Sequence, residues 1–254
     1  LLTRKAYNSY HTAVLDRGAP QNKKFMALSE KIKKIRSSIV AIGFNPNPQQ
    51  ITIVGSGFCI SNDGKILSSA HLYNPLDENQ KRNLKAFVMV EQKENDLEAY
   101  RWIPISLVDK NDQNDLAVFQ LETYQDSLLK KVELGDSEKV EVGQEAYFIG
   151  FPYAAQLIND GFGVTLVVNK TIISNIKKDG VDPEHKRNWF ILDAISNPGN
   201  SGSPLIDLET NKVIGVMAIA FRTQSKTQPQ LDIREPMHIA GAKPINLAEK
   251  LLVI

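Results

Sequence analysis

Short apolar runs, each closed by Gly, Pro, Asn or Asp, recur along most of this chain. Runs of this kind rich in Val, Ile and Phe read as β-strands, and the turn residues between them read as connections. A first set predicts strands at 38–44, 51–60, 65–69, 84–92, 101–108 and 115–121. A segment from Asp126 to Glu138 connects it to a second set at 145–151, 163–175, 189–194, 203–206, 212–222 and 236–242. Each set supplies about one closed barrel. The expectation is a mainly β protein of two six-stranded antiparallel β-barrels with short N- and C-terminal helices. Phe25, Leu28, Ile32 and Ile35 repeat at helical spacing, so a helix is predicted over Lys23–Ile35, capped by Asn22. Lys23, Lys24, Lys31, Lys33 and Lys34 then read as its solvated face. A closing helix is predicted over Asn246–Leu252. The division is 1–36 as N-terminal segment and helix, 37–125 as first barrel, and 126–254 as second barrel with its C-terminal helix.

Chemistry concentrates at Ser196-Asn197-Pro198-Gly199-Asn200-Ser201-Gly202-Ser203-Pro204-Leu205. Gly199 and Gly202 allow a tight path around Ser201. The N–H groups of Gly199 and Ser201 can then share one small space and stabilise an oxyanion. A serine hydroxyl needs a base, and the base needs an orienting group. His71 ends a predicted hairpin whose strands flank Asn62-Asp63-Gly64. Asp115 directly precedes the apolar run Leu116–Leu121. Asp109 and Asp112 compete with Asp115 and read as solvated turn residues. Ser196 and Ser203 compete with Ser201 but lack Gly-Asn before and Gly after. Of the other histidines, His11 lies outside the barrels, His185 in a polar loop, and His238 on a strand as a core histidine.

These motifs resemble the chymotrypsin-like serine proteases, and more closely their HtrA/Deg branch. That branch carries Gly-Ser-Gly-Phe (here Gly55–Phe58), Ala-His (Ala70-His71), Asp-Leu-Ala-Val (Asp115–Val118) and Asn-Pro-Gly-Asn-Ser-Gly (Asn197–Gly202). Ser37–Ile42 and Ile239–Ala248 resemble its first and last strands, so the likeness covers roughly residues 25–254. The resemblance implies a chymotrypsin-like fold and a serine endopeptidase acting on unfolded or extended protein segments. Its catalytic residues would be His71, Asp115 and Ser201, its oxyanion hole Gly199 and Ser201. Ser196, Ala218, Ile219 and Ala220 would line the specificity pocket. Two departures stand out. Ser203 replaces a glycine, as it does in glutamyl endopeptidases. Those enzymes use a His where this chain has Met217, so no acidic preference is expected. Ser196 replaces an aliphatic pocket residue, and no Asp marks a basic preference. The family's PDZ module has no counterpart after the closing helix, so peptide-activated control through one is not expected. Control is expected instead from loops near Gly150–Gly163 and Lys177–Asn188, with Tyr7 and Tyr10 either making a homotrimer contact of the family kind or belonging to a flexible tail. Asn200 stands where zymogen-type relatives have an Asp, so no activating cut is expected. A second reading is a protease-like module that captures extended peptides along Ala218–Ala220 without cleaving them.

Composition narrows the classes. A net charge of +1 provides no field for nucleic acid. No apolar run is long enough for a membrane span. Cys59 is the single cysteine, so no internal disulfide is possible, which favours an intracellular or organellar compartment or a bacterial-type envelope enzyme that needs none. Scattered histidines and the absence of paired-Cys or His-Glu-x-x-His spacing suggest no metal and no cofactor. Protein or peptide substrates are the expected partners.

Overall fold

The computed structural model describes residues 26–47, 50–92, 98–123, 129–178, 188–225 and 234–253. Tyr7, Tyr10, His11, Asn22, Phe25 and His185 lie outside them. The first barrel comprises β1 (Ile39–Asn47), β2 (Gln50–Cys59), β3 (Lys65–Ser68), β4 (Lys85–Gln92), β5 (Glu98–Asn111) and β6 (Leu116–Leu121). They close in the order β1-β2-β3-β6-β5-β4. The second comprises β7 (Glu145–Gly150), β8 (Val167–Lys177), β9 (Trp189–Leu192), β10 (Pro204–Asp207), β11 (Val213–Gln224) and β12 (Arg234–Pro244). Its order is β10-β11-β12-β9-β8-β7. All strand pairs are antiparallel, as expected, and each predicted strand is present with its ends shifted by a few residues.

The apolar runs are continuous, not alternating, because many strands are buried on both faces. In β1, Val40 and Ile42 fill the first barrel with Cys59, Ile66 and Phe119. Ile39 and Ala41 point the other way. There they join Phe58, Leu67 and Val118, and meet Tyr147, Ile149, Ile206 and Val216 of the second barrel. The second barrel closes on its own core of Phe148, Ile173, Phe190, Leu205 and Met217. Each such side chain contributes roughly 1.5–3 kcal/mol by burial. The inter-barrel layer is thus a third apolar core beside those of the two barrels.

Helices differ more from expectation. The N-terminal helix, α1 (Leu28–Ile35), begins after a non-helical Met26-Ala27, and Ala27 provides no side-chain cap. Lys31 is not on a solvated face: it is 4% exposed. It lies one helical turn before buried Ile35, so it shares the docked face. Its stem is covered, and its ammonium donates to the carbonyls of Leu208 and Glu209 in the β10–β11 turn. Lys33 is exposed and pairs with Glu30 at 3.4 Å, as a solvated face predicts. Two helices went unread: α2 (Glu78–Arg82), with Asp77 and Gln80 forming a capping box, and α3 (Ala154–Asn159) after β7. The closing segment is a 3-10 turn over Ile245–Ala248 followed by α4 (Glu249–Leu252). His238 is exposed rather than a core residue. It lies in the part of β12 before the pairing with β9 begins at Ala240, where β12 continues only as a ribbon with β11.

The contrast between the two lysines is testable by urea denaturation. Lys31→Ala leaves two carbonyls without their charged donor and should cost about 1–3 kcal/mol. Lys33→Ala should stay within about 0.5 kcal/mol.

Candidate active site

The turn between β9 and β10 carries Ser201. Hydrogen bonds from Asn200 N to Asn197 O and from Ser203 N to Asn200 O, both 3.0 Å, wind it tightly. Gly199 and Gly202 hold φ of 98° and 83°, the left-handed region. Sterics enforce glycine as well. A Cβ on Gly199 would overlap Phe151 O, and one on Gly202 would overlap Ser56 O and Ser68 Oγ. Tyr153 N donates to Pro198 O at 2.8 Å. In a planar trans peptide the next N–H points the opposite way, so Gly199 N–H turns from that segment. Neither Gly199 N nor Ser201 N has an acceptor among the described residues. Ser201 Oγ is likewise without a hydrogen-bond partner among them, so it is not bonded to His71 Nε2.

His71 sits in a 3-10 turn, Ala70–Leu72, two residues beyond the end of β3. The β2–β3 hairpin that delivers it turns at Gly64, with φ of 86°. Asp115 grips His71 twice. Its Oδ1 accepts from His71 N at 2.8 Å, and its Oδ2 lies 2.7 Å from His71 Nδ1. Ala70 N also donates to Asp115 O at 3.2 Å. A carboxylate only accepts, so Nδ1 carries a proton, and in the neutral imidazole Nε2 is then the nitrogen with a lone pair. Asp115 reaches inward because its φ is 54°, a conformation tolerated by Asp. The competing Asp112 is turned outward, where Lys110 and Asn74 hold its carboxyl below the usual range.

The two halves of the site meet at a seam. Met217 O accepts from Gly202 N at 2.8 Å and from Ser69 Oγ at 3.2 Å. Gly202, next to Ser201, and Ser69, two residues before His71, thus share one acceptor. Ser56 N in β2 donates to Ser201 O at 2.8 Å. Sequence reasoning picked out the Gly55–Phe58 string but gave Ser56 no role, and it missed Ser68, Ser69, Phe151 and Tyr153. The signal was present only for Ser56, a serine between glycines.

Of the expected pocket residues, Ser196 is buried, Ala218 and Ala220 are half-buried, and Ile219 is 40% exposed. β10 pairs with β11 only as far as Val216, so Ala218–Ala220 keep one backbone edge without a strand partner among the described residues. Asn200 is fully buried, and neither polar atom of its side-chain amide has a partner among the described residues; buried Ser203 Oγ also lacks one among them. Cys59 is no rival nucleophile: burial pushes its thiol up to about 11, well away from the thiolate form at neutral pH.

Comparison with known proteins converges on this region. The model of the trypsin-like peptidase domain matches residues 55–216. A probable periplasmic serine endoprotease, DegP-like, from Halomonas elongata is 33% identical over 193 residues, 74% of this chain and 33% of that protein. Serine endoprotease DegS from Haemophilus influenzae is 29% identical over 208 residues, 80% of this chain and 53% of that protein. The chain spans about a third of the length of the DegP-like relatives. Among solved structures, the HtrA-type protease AlgW with tripeptide superposes with a TM-score of 0.61 at 21% identity, over 90% of this chain and 63% of that one. That likeness supports the fold.

Two glycines separate backbone strain from steric overlap. Gly143 has φ of 91° with open space around it, whereas Gly202 adds the overlap at Ser56 and Ser68. Gly143→Ala should cost about 1–2 kcal/mol. Gly202→Ala should exceed it by about 2 kcal/mol or more. Equal losses in chemical denaturation would show that the turn around Ser201 yields easily.

Proposed function

Because the chain belongs to the trypsin-like peptidase family, in its HtrA/Deg branch, we propose that it is a serine endopeptidase cleaving unfolded or extended protein segments. The observation that carries this reading is the double hold of Asp115 on His71, at 2.8 and 2.7 Å. Ser201 Oγ attacks the scissile carbonyl while His71 Nε2 takes its proton. The oxyanion that forms is held by Gly199 N–H and Ser201 N–H. Asp115 keeps the imidazole in the productive tautomer and stabilises its cation. Collapse of the intermediate breaks the C–N bond, and His71 returns the proton to the leaving amine. Water, deprotonated by His71, then attacks the acyl-enzyme and frees Ser201. In this reading 37–125 is the His/Asp half and 126–254 the Ser half.

Substrate binding follows from the unpaired edge at Ala218–Ala220, which suits an extended chain. Ser196 offers one hydroxyl, and Ala218, Ile219 and Ala220 offer no charge. The pocket therefore favours small or medium uncharged side chains, since an unpaired buried charge is costly. The named periplasmic relatives support a bacterial envelope compartment and give no support to the intracellular lean drawn from a single cysteine. Buried Asn200 offers an inserted N-terminal ammonium only an ion–dipole contact, so activity should need no activating cut. Assembly as a homotrimer and control by loop ordering belong to the same proposal. The alternative, a binding module without catalysis, draws on the free edge alone.

A fluorophosphonate probe decides between them. Wild type should be labelled and should degrade casein; Ser201→Ala should lose both while unfolding at the same temperature. Asp115→Asn should lower turnover by about 10⁴-fold, because the wrong tautomer faces the substrate. Equal casein cleavage by wild type and Ser201→Ala would exclude Ser201 as nucleophile. Cleavage-site profiling on a denatured proteome should return Val, Ala, Leu, Thr and related uncharged residues before the scissile bond. A dominant Arg/Lys or Asp/Glu preference would refute the pocket assignment.

A further inference from the structure

Ser56 belongs to the first barrel but is bonded mainly to the second. It is 0% exposed. Its N–H donates to Ser201 O at 2.8 Å. Its hydroxyl donates to Gly199 O at 2.7 Å and accepts from Phe151 N at 2.9 Å. Its own carbonyl accepts from Ser68 Oγ at 2.6 Å. We infer that Ser56 is a positioning residue for the oxyanion hole, its hydroxyl fixing the peptide plane on the C-terminal side of Gly199. The inference rests on the reading of Ser201 as nucleophile.

The argument is one of peptide planes. The direction of Gly199 N–H is set by the Pro198–Gly199 plane, and that plane is stable only if the glycine between its neighbours cannot turn. Glycine, at φ 98° here, resists turning less than any other residue. Both flanking planes are held from the same short segment after β7. Tyr153 N binds Pro198 O directly, at 2.8 Å. Phe151 N reaches Gly199 O through the Ser56 hydroxyl, which fills the gap with one donated and one accepted bond. Phe151 is itself steadied by the edge of Tyr100 from β5, with ring centroids 6.3 Å apart. Simple attachment of the barrels does not require this hydroxyl, since Ser56 N already bonds Ser201 O. A hydroxyl there serves the two groups around Gly199. Without it, a buried N–H and a part-buried C=O lose their partner together, and rotation of the Gly199–Asn200 plane is their route to new ones.

Ser56→Ala keeps the backbone bond and the Cβ and removes only the relay. On a peptide taken from the wild-type cleavage profile, kcat should fall about 10- to 100-fold with KM changed by less than about threefold, the pattern of an interaction used in the transition state. Fluorophosphonate labelling should slow by a similar factor, and Ser56→Thr should recover part of the loss. Amide hydrogen exchange across 197–202 should quicken about tenfold or more in Ser56→Ala. Tyr147→Phe removes another buried hydrogen bond, to Asn211 Oδ1 at 2.6 Å, and controls for stability. Unchanged kcat in Ser56→Ala, or an equal loss in Tyr147→Phe, would overturn the inference. Failure of wild type itself to react with the probe would instead overturn the proposed function. Exchange across 197–202 would then decide the role of Ser56 alone, with unchanged exchange refuting it.

Discussion

Everything proposed for this site depends on one buried seam, where β2 of the first barrel meets the turn before β10 of the second. His71 and Asp115, the proposed base and its carboxylate, are built on one barrel and Ser201, the proposed nucleophile, on the other. Their relative position is therefore no better defined than the contact between barrels. Apolar packing of Ile39, Phe58 and Leu67 against Tyr147, Ile149 and Val216 supplies cohesion but little directional precision. Direction comes from hydrogen bonds that cross the seam: Ser56 N to Ser201 O at 2.8 Å and Ser69 Oγ to Met217 O at 3.2 Å. These bonds are shielded from water, where an unmade bond is costly, so they fix geometry more firmly than exposed bonds of the same length.

The strands were legible because they obey local rules. Turn residues bound each apolar run, and Asn62-Asp63-Gly64 signals a hairpin in any context. The order of His71, Asp115 and Ser201 was legible through motifs whose spacing is set by those same strands. The seam was not. Ser56 and Ser68 read as ordinary small residues, and their bonds to Ser201 O and to Ser56 O depend on how two barrels pack. Lys31 failed for the same reason. A lysine on a helix is solvated by default, and only the position of the β10–β11 turn supplies the carbonyls of Leu208 and Glu209 that draw it inward. The inward turn of Asp115 also escaped a strand-based reading, because a single left-handed residue between two regular segments leaves no periodic trace.

Departures from regular backbone occur in several turns, with positive φ also at Gly64, Gly143, Tyr153 and Asn211, and they are dense around the candidate site. Positive φ at Asp115, Gly199 and Gly202, the unpartnered buried amide of Asn200 and the unpartnered hydroxyl of Ser203 all fall within the acid's turn or the loop around Ser201. The left-handed φ of Asp115 and each unmade buried hydrogen bond are unfavourable by about 1–3 kcal/mol, whereas the glycines adopt positive φ without steric strain. The barrel interiors, filled by Phe119, Ile66 and Val40 or by Phe148, Phe190 and Leu205, carry no such departures of backbone. Around Ser201 the irregular backbone coincides with two N–H groups that have no acceptor among the described residues. Those two donors, Gly199 N–H and Ser201 N–H, are stabilising only when an external oxygen accepts them. In the proposed mechanism that oxygen is the substrate's carbonyl, and acceptance is strongest when it carries the charge of the tetrahedral intermediate.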